Sequence, residues 1–271
     1  MPDYLTGIFS NISHDEYHNM VDYVSNSYLG RLDRCPAAAK VPSEDTPTFA
    51  FGRAYHSFVL DGPESFGRDF IVAPEINKRT KEGKAEWAKF TEANKEKTVI
   101  SVDDLKAIEA MYGALAIHPV AAVLLGKGRS ETSIFWVDAE TGLPCKVRPD
   151  RIPDGDHGVI LDLKSVASAE LGAFTRACMN FGYGREAGMY IEGFNNVSNA
   201  TVDAFVFICQ EKDEPYRVEV YTLEDLFIEY GKREFRRLIT LEAECRKNNF
   251  WPHYKHEEIR TIYLPNWAGR D

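Results

Sequence analysis

The sequence predicts an α/β fold in which a helical N-terminal part, residues 1 to about 125, precedes a sheet-bearing core, about 126 to 250, the two read as a single domain. Three observations carry the prediction. Helical periodicity dominates the first part. Short apolar segments separated by turn residues fill Thr132 to Lys164. A hairpin pattern followed by one long amphipathic segment covers Ala204 to Arg246.

In chain order, Ser13 with Glu16 three residues on forms a capping-box pattern that opens a short helix to about Val24. A second helix is expected from Ser25–Ser27 to just before Pro36, and Pro42 to Pro47 is a polar, proline-marked loop. From Thr48 to Leu60, residues Phe51, Tyr55, Phe58 and Val59 make one apolar helical flank with His56 beside it. Asp61-Gly62-Pro63 stops that helix, and Phe70-Ile71-Val72 reads as a short strand. Asn77 to Lys97 reads as a solvated amphipathic helix. Ahead of its helical part, Lys78, Arg79, Lys81 and Lys84 cluster around Gly83 as a basic loop suited to phosphate contacts. Ser101 with Asp104 caps a helix to about Ile117, which His118-Pro119 breaks.

Thr132 to Asp138 opens a meander, turning at Ala139 to Gly142 into a strand from Leu143 to the Asp150 region. The turn-rich segment Pro153 to Gly158 leads back into Val159 to Lys164. Ser168 is expected to cap a helix from about Ala169 to Met179, and Gly182-Tyr183-Gly184 leads into another from Arg185 to Glu192. Ala204 to Gln210 and Tyr216 to Tyr221 make a hairpin, and Leu223 to Arg246 is a long helix. Nothing repeats internally.

The chemistry concentrates between Leu143 and Ser165. Alternation along a strand puts Asp162 and Lys164 on one face and Leu161 and Leu163 on the other. If the two strands pair, Asp150 approaches Asp162, giving two carboxylates beside one lysine. That grouping suits a hard divalent cation, Mg²⁺ or Mn²⁺, whose shell substrate phosphates complete. Phosphodiester hydrolysis needs those parts. Asp-x-Lys is short, however, and its spacing is matched equally by an ion pair on a solvated sheet face. Arg148 shares Asp150's face, where it could hold a phosphate or fix Asp150 or Asp162 by a salt bridge. Glu131 opens the meander and could approach the same point.

Of 271 residues, 44% are hydrophobic, enough for a substantial core. The net charge of −10 requires that any nucleic-acid surface be segregated from acidic ones; composition alone favours an acidic protein with no such partner. No run suits a membrane span and the N-terminus lacks a signal-peptide layout, so a cytosolic location is expected. Cys35, Cys145, Cys178, Cys209 and Cys245 are widely separated, with no Cys-x-x-Cys pair, and are expected as reduced thiols.

Arg148-Pro149-Asp150 followed by Asp162-Leu163-Lys164 resembles the PD-(D/E)XK nuclease motif. Further words resemble the RecE-type exonucleases (exodeoxyribonuclease VIII): Phe51 to His56, Arg79 to Lys84, Glu131 to Trp136, Thr141 to Asp150, and the closing Trp251-Pro252. Several words in one order over most of the chain are far more specific than Asp-x-Lys. The resemblance implies a restriction-endonuclease-like core, a central mixed β-sheet flanked by helices. It implies His56, Asp150, Asp162 and the Leu163 carbonyl as metal ligands, Lys164 as the catalytic lysine, Glu131 as a metal-proximal glutamate, and Arg148 and Ser165 as DNA contacts. Related nucleases often carry a glutamine and a tyrosine four apart on a helix facing the site. Here Glu186 and Tyr190 share that spacing and one helical face, which by resemblance makes both DNA contacts; the glutamate is a departure that leaves open whether its position binds DNA or assists metal instead.

By resemblance the activity is Mg²⁺-dependent, processive 5′-to-3′ digestion of double-stranded DNA ends that leaves 3′ single strands for annealing. Mn²⁺ could substitute. A homo-oligomeric ring, a RecT-type annealing partner, and a phage or prophage setting in bacterial cytoplasm are also implied. Some RecB and CRISPR-adaptation relatives hold an iron–sulfur cluster on one upstream and three downstream cysteines, a grouping absent here. Two alternatives stay open: a non-processive PD-(D/E)XK endonuclease or RecB-type repair nuclease, and a nuclease-fold binding protein that does not cut. The intact Asp150, Asp162 and Lys164 speak against the last.

Overall fold

A computed structural model describes residues 4–41, 46–155, 158–254, 259, 261–265 and 268. The chain begins with β1 (Gly7–Phe9), α1 (His14–Asn19), α2 (Asn26–Arg34) and the single turn α3 (Pro36–Ala39). The capping box is present: Glu16 N donates to Ser13 Oγ at 3.2 Å, and Ser13 N to Glu16 Oε2 at 2.8 Å. Helix α1 stops earlier than expected, because Val24 is drawn into a bridge with Cys145. Most of the predicted Pro42–Pro47 loop lies outside the described residues.

Next come α4 (Pro47–Leu60), α5 (Pro63–Asp69), β2 (Phe70–Val72), α6 (Lys81–Ala93), β3 (Thr98–Ile100), α7 (Val102–Ile117) and α8 (Ala121–Leu124). The one-turn helices and α5 were not legible as separate elements. Thr80 caps α6, its Oγ1 accepting from Gly83 N at 3.0 Å. Lys81 and Lys84 therefore sit in the first helical turn rather than in a loop ahead of it.

The core contains β4 (Gly128–Ser130), β5 (Ser133–Val137), β6 (Pro144–Val147), β7 (Arg151–Pro153), β8 (Val159–Val166), α9 (Leu171–Phe181), α10 (Tyr183–Val197), β9 (Ala204–Glu211), β10 (Val218–Thr222) and α11 (Asp225–Asn248). Glu170, not Ser168, caps α9: its carboxylate accepts from Gly172 N at 2.9 Å and Ala173 N at 2.8 Å. Of the turn predicted at Pro153 to Gly158, residues 156 and 157 lie outside the described residues.

Five strands form the central mixed sheet, in the order β10-β9-β8-β7-β4. Strands β8 and β9 run parallel and the other neighbours antiparallel. One continuous meander was expected, but β5 and β6 join β1 in a separate three-stranded sheet. The cause is a bend in one long hairpin. Ser130 faces Arg151 and Ile134 faces Val147, so the register runs unbroken across the bend and sets Glu131 opposite Asp150. At the bend Glu131 adopts φ 47°, its N–H still reaching the Asp150 carbonyl at 3.2 Å. Pro149 has no N–H to give a ladder.

Helices cover both faces. On one, Phe205, Phe207 and Cys209 of β9 pack with Leu29 of α2, Phe174 of α9 and Phe235 and Leu238 of α11. On the other, Leu163 and Ile208 pack with Tyr55 and Phe58 of α4 and Ile108, Met111 and Leu115 of α7. Helices α10 and α11 touch backbone to backbone, since a Cβ on Gly231 would overlap the Gly184 carbonyl. That close approach fixes α10, which carries Glu186, over the sheet. Between the layers, the fully buried Gln210 ties α4 to β9: Tyr55 Oη donates to its Oε1 at 2.5 Å, and its Nε2 donates to the Met111 carbonyl at 2.9 Å.

Candidate active site

Each candidate side chain is placed by a local rule plus one tertiary contact. Parallel pairing sets Asp162 beside Phe207 and Lys164 beside Cys209, so strand alternation turns both polar groups toward α10. There Lys164 Nζ lies 2.8 Å from Asp162 Oδ2 and 3.1 Å from Glu186 Oε2, a buried carboxylate–ammonium–carboxylate triad. The contact with Asp162 is ionic but poorly aligned, leaving Oδ2 buried without a hydrogen bond. Tyr190, one turn beyond Glu186, packs its ring on Phe205.

The bend delivers Glu131 and Asp150, and α4 delivers His56. Ligand atoms of His56, Glu131 and Asp150 all lie within 4.8 Å of one another. His56 Nδ1 is 3.5 Å from Asp150 Oδ1, and the Leu163 N–H donates to Asp150 Oδ2 at 2.7 Å. The peptide of Leu163 thus borders the cluster, and Asp162 stands behind it, engaged with Lys164. Ser165, half-buried opposite Gln210, shares the face of Leu163.

Burial and mutual repulsion perturb the charges at this site. Burial, offset in part by Lys164 and reinforced by Glu186 and Asp150, pushes the Asp162 carboxyl up to about 8. Burial and the facing Asp150 charge raise Glu131 to about 7. Burial would lower His56, but the Asp150 carboxylate outweighs it and raises the imidazole to about 9. Asp150 keeps its charge, held below its ordinary value by His56, Lys164 and the Leu163 N–H despite burial. Burial would also lower Lys164, yet Asp162 and Glu186 hold it well above its ordinary value. Carboxylates crowded against too little positive charge, with an imidazole in reach, fit a divalent cation of the Mg²⁺ or Mn²⁺ class. His56, Glu131 and Asp150 would hold it, with Asp162 and the Leu163 peptide adjacent.

Arg148 makes neither proposed salt bridge. Its guanidinium donates to Ser133 Oγ and to the Ile12 and Ser13 carbonyls, and lies 4.3 Å above the Tyr17 ring. It straps α1 to the hairpin that leads to Asp150. Lys78, Arg79, Lys81 and Lys84 are exposed at the start of α6, with Lys78 Nζ 3.1 Å from the Trp87 ring centre. Sequence reasoning missed Tyr183, whose ring centre lies 4.7 Å from Lys164 Nζ, and Gln210. Tyr183 is flanked by glycines and reads only as part of a turn.

A mixed sheet covered by helices on both faces, with Asp-x-Lys on a central strand and an aspartate arriving from the adjoining hairpin, is the architecture of a PDDEXK-like nuclease fold. The chain belongs to the family described as PDDEXK-like domain of unknown function (DUF3799), which matches residues 25–262. A crystal structure from Eubacterium rectale, described as a "putative exonuclease", is similar in fold: TM-score 0.63 at 15% identity, over 94% of this chain and 96% of that one. A second solved structure, SSO0001, matches at TM-score 0.30 and 13% identity over 81% and 90% of the two chains, too distant to carry an argument. No curated protein matches the sequence. Among the described residues no helix is long and apolar enough to cross a membrane.

Proposed function

We propose that this protein is a divalent-metal-dependent nuclease that digests double-stranded DNA from its ends. The observation that carries the reading is the juxtaposition of the His56–Glu131–Asp150 cluster with the buried Asp162–Lys164 pair at the same end of β8. When bound, Mg²⁺ or Mn²⁺ would polarise the scissile phosphate and acidify water. Asp150, Glu131 and His56 would hold the cation, and the Leu163 N–H fixes the orientation of Asp150. Lys164, kept charged by its two carboxylates, supplies the fixed positive charge that stabilises a developing phosphorane-like transition state. Glu186 holds the lysine in place and Tyr190 borders the same face.

Processive 5′-to-3′ action, a homo-oligomeric ring, a RecT-type annealing partner and a bacterial cytoplasmic setting are proposed from the resemblance to RecE-type enzymes. Support for an exonuclease also comes from the description of the Eubacterium rectale protein. On a protein of net charge −10, we assign the duplex backbone to the exposed Lys78, Arg79, Lys81 and Lys84 at the start of α6, with Arg148 and Ser165 nearer the cut.

The test is digestion of an end-labelled linear duplex beside closed circular plasmid, in Mg²⁺, in Mn²⁺ and in excess chelator. The expected result is loss of the linear duplex alone, only with metal, and none with Asp150→Ala. Opening of the circle would favour a PD-(D/E)XK endonuclease. No cutting of either DNA with either metal would overturn the proposal.

A further inference from the structure

The ammonium of Lys164 carries three N–H donors. Nζ donates to Glu186 Oε2 and Oε1 at 3.1 and 3.3 Å and lies 2.8 Å from Asp162 Oδ2. A further side is closed by Tyr183, whose ring centre is 4.7 Å from Nζ, against 6.0 Å for Phe207. Tyr183 and Glu186 stand three residues apart on α10, so one helical face presents both to the same ammonium. The backbone that carries Tyr183 is fixed on either side. Gly182 caps α9 with φ 71°, and a Cβ on Gly184 would lie 2.7 Å from Phe227 Cε1 of α11.

Packing on Phe174 and Phe207, at centroid distances of 5.8 and 5.5 Å, requires only an apolar side chain of this size. It does not require a ring within reach of a charged group, and an aliphatic wall there would strip water from the ammonium without replacing it. The face of an aromatic ring supplies the missing attraction through its quadrupole. Among the described residues the Tyr183 hydroxyl has no hydrogen-bond partner, so the ring is what engages Lys164. The Lys164 side chain is 19% exposed, and the ring shuts water away on its side. A charge that must act on a phosphate gains from such a setting, because its field is screened less. We propose that Tyr183 is a positioning residue for the reaction, its ring holding the Lys164 ammonium in place and dry where Asp162 and Glu186 leave it open. This rests on the nuclease reading, and it acts through Lys164 rather than on the DNA.

The test compares Tyr183→Leu, Tyr183→Phe and Phe174→Leu with wild type. Phe174→Leu controls for packing: its ring meets Tyr183 and Phe207, and among the described residues it has no cation–π contact with Lys164. In chelator and without DNA, the ε-methylene protons of Lys164 are followed in lysine-¹³C-labelled protein, assigned by their loss in Lys164→Met. The ring should shift them upfield in wild type, Tyr183→Phe and Phe174→Leu, and they should return toward the free-lysine position in Tyr183→Leu. With Mg²⁺ or Mn²⁺, single-turnover cleavage by Tyr183→Leu should fall about tenfold while anisotropy reports unchanged DNA affinity. Tyr183→Phe should recover the rate. Phe174 is buried and Tyr183 only half-buried, so Phe174→Leu should lower the melting temperature at least as far as Tyr183→Leu and yet keep the rate. Positioning by the ring is overturned if wild type cuts and Tyr183→Leu matches it, if Tyr183→Phe is as slow as Tyr183→Leu, or if Phe174→Leu shares the rate loss. No cutting by any of the proteins, wild type included, would overturn the nuclease reading and the positioning role with it.

Discussion

Replacing Lys164 with methionine removes a charge while keeping most of the side chain's volume. The ammonium lies 2.8 Å from Asp162 and 3.1 Å from Glu186, and those two carboxylate side chains are only 5% and 11% exposed. In the variant they face each other without a counter-charge. Removing one partner of a buried pair costs about 3–5 kcal/mol. Both carboxylates keep some water and Asp162 can take up a proton, so the low end, about 3 kcal/mol, is expected at pH 8.5. In a chain of this size that lowers Tm by about 6–10 °C. The pH dependence has a definite sign. Asp162 already has a folded-state pKa of about 8, above its ordinary 3.8, mainly through burial. The folded state therefore binds that proton more tightly than the unfolded state does, and the stability this confers is present at acid pH and lost as pH rises through the folded value. Without Lys164 that value climbs further. The deficit should thus be largest at pH 8.5 and shrink toward pH 5, where Asp162 is protonated in both proteins. Metal-free thermal unfolding at pH 5, 7 and 8.5 measures it. Single-turnover cleavage with metal should fall by orders of magnitude while DNA binding, read by anisotropy, changes little. Equal destabilisation at all three pH values, or near-normal cleavage, would refute the reasoning.

Metal affinity should rise from pH 6 to pH 9, because protons on Glu131, Asp162 and His56 with pKa values of about 7, 8 and 9 oppose binding. Calorimetry in buffers of unlike ionisation enthalpy should detect proton release, and a flat pH profile would count against this ligand set. Asp150→Ala should abolish both the cation site and cutting, and digestion that persists would move the site elsewhere. Gly231→Ala forces a Cβ onto the Gly184 carbonyl, so a loss of about 1–3 kcal/mol is expected in denaturant melts, with weakened activity as α10 and Glu186 shift. Neutralising Lys81 and Lys84 should reduce the salt slope of DNA binding by about two and cause early release from long duplexes, while short ones are still hydrolysed. Light scattering on the DNA-bound protein tests the ring, and a stable monomer would contradict it.

What was legible in the sequence is what local physics controls. The caps at Ser13 and Ser101 were readable because the capping box closes within four residues. Asp162 and Lys164 could be assigned to one face because a strand's side chains alternate whatever surrounds it. The same period-2 logic extended one strand too far through Arg148, Pro149 and Asp150, because a bend held by the left-handed backbone of Glu131 has no pattern in a hydrophobicity profile. Cap placement before α9 missed for a related reason: Ser168 and Glu170 both qualify, and only the observed hydrogen bonds choose between them.

By itself, then, the sequence determined most of the longer helices and strands, the Asp-x-Lys pair, and through its family words the nuclease architecture, because these rest on spacing within a few residues and on recurring residue order; the one-turn helices, α5 and the short strands β1, β3 and β4 carried no such signal. Tertiary structure alone decided that Glu186 grips Lys164 and that Arg148 straps α1 rather than pairing with an aspartate, and it supplied the packing by which His56, Glu131 and Asp150, implied at the metal by the family resemblance, converge. Those groups are far apart in sequence. Their meeting depends on α4 packing onto β8 through Leu163 and on α10 lying against α11 through Gly231, contacts set by burial and close approach that no local periodicity encodes.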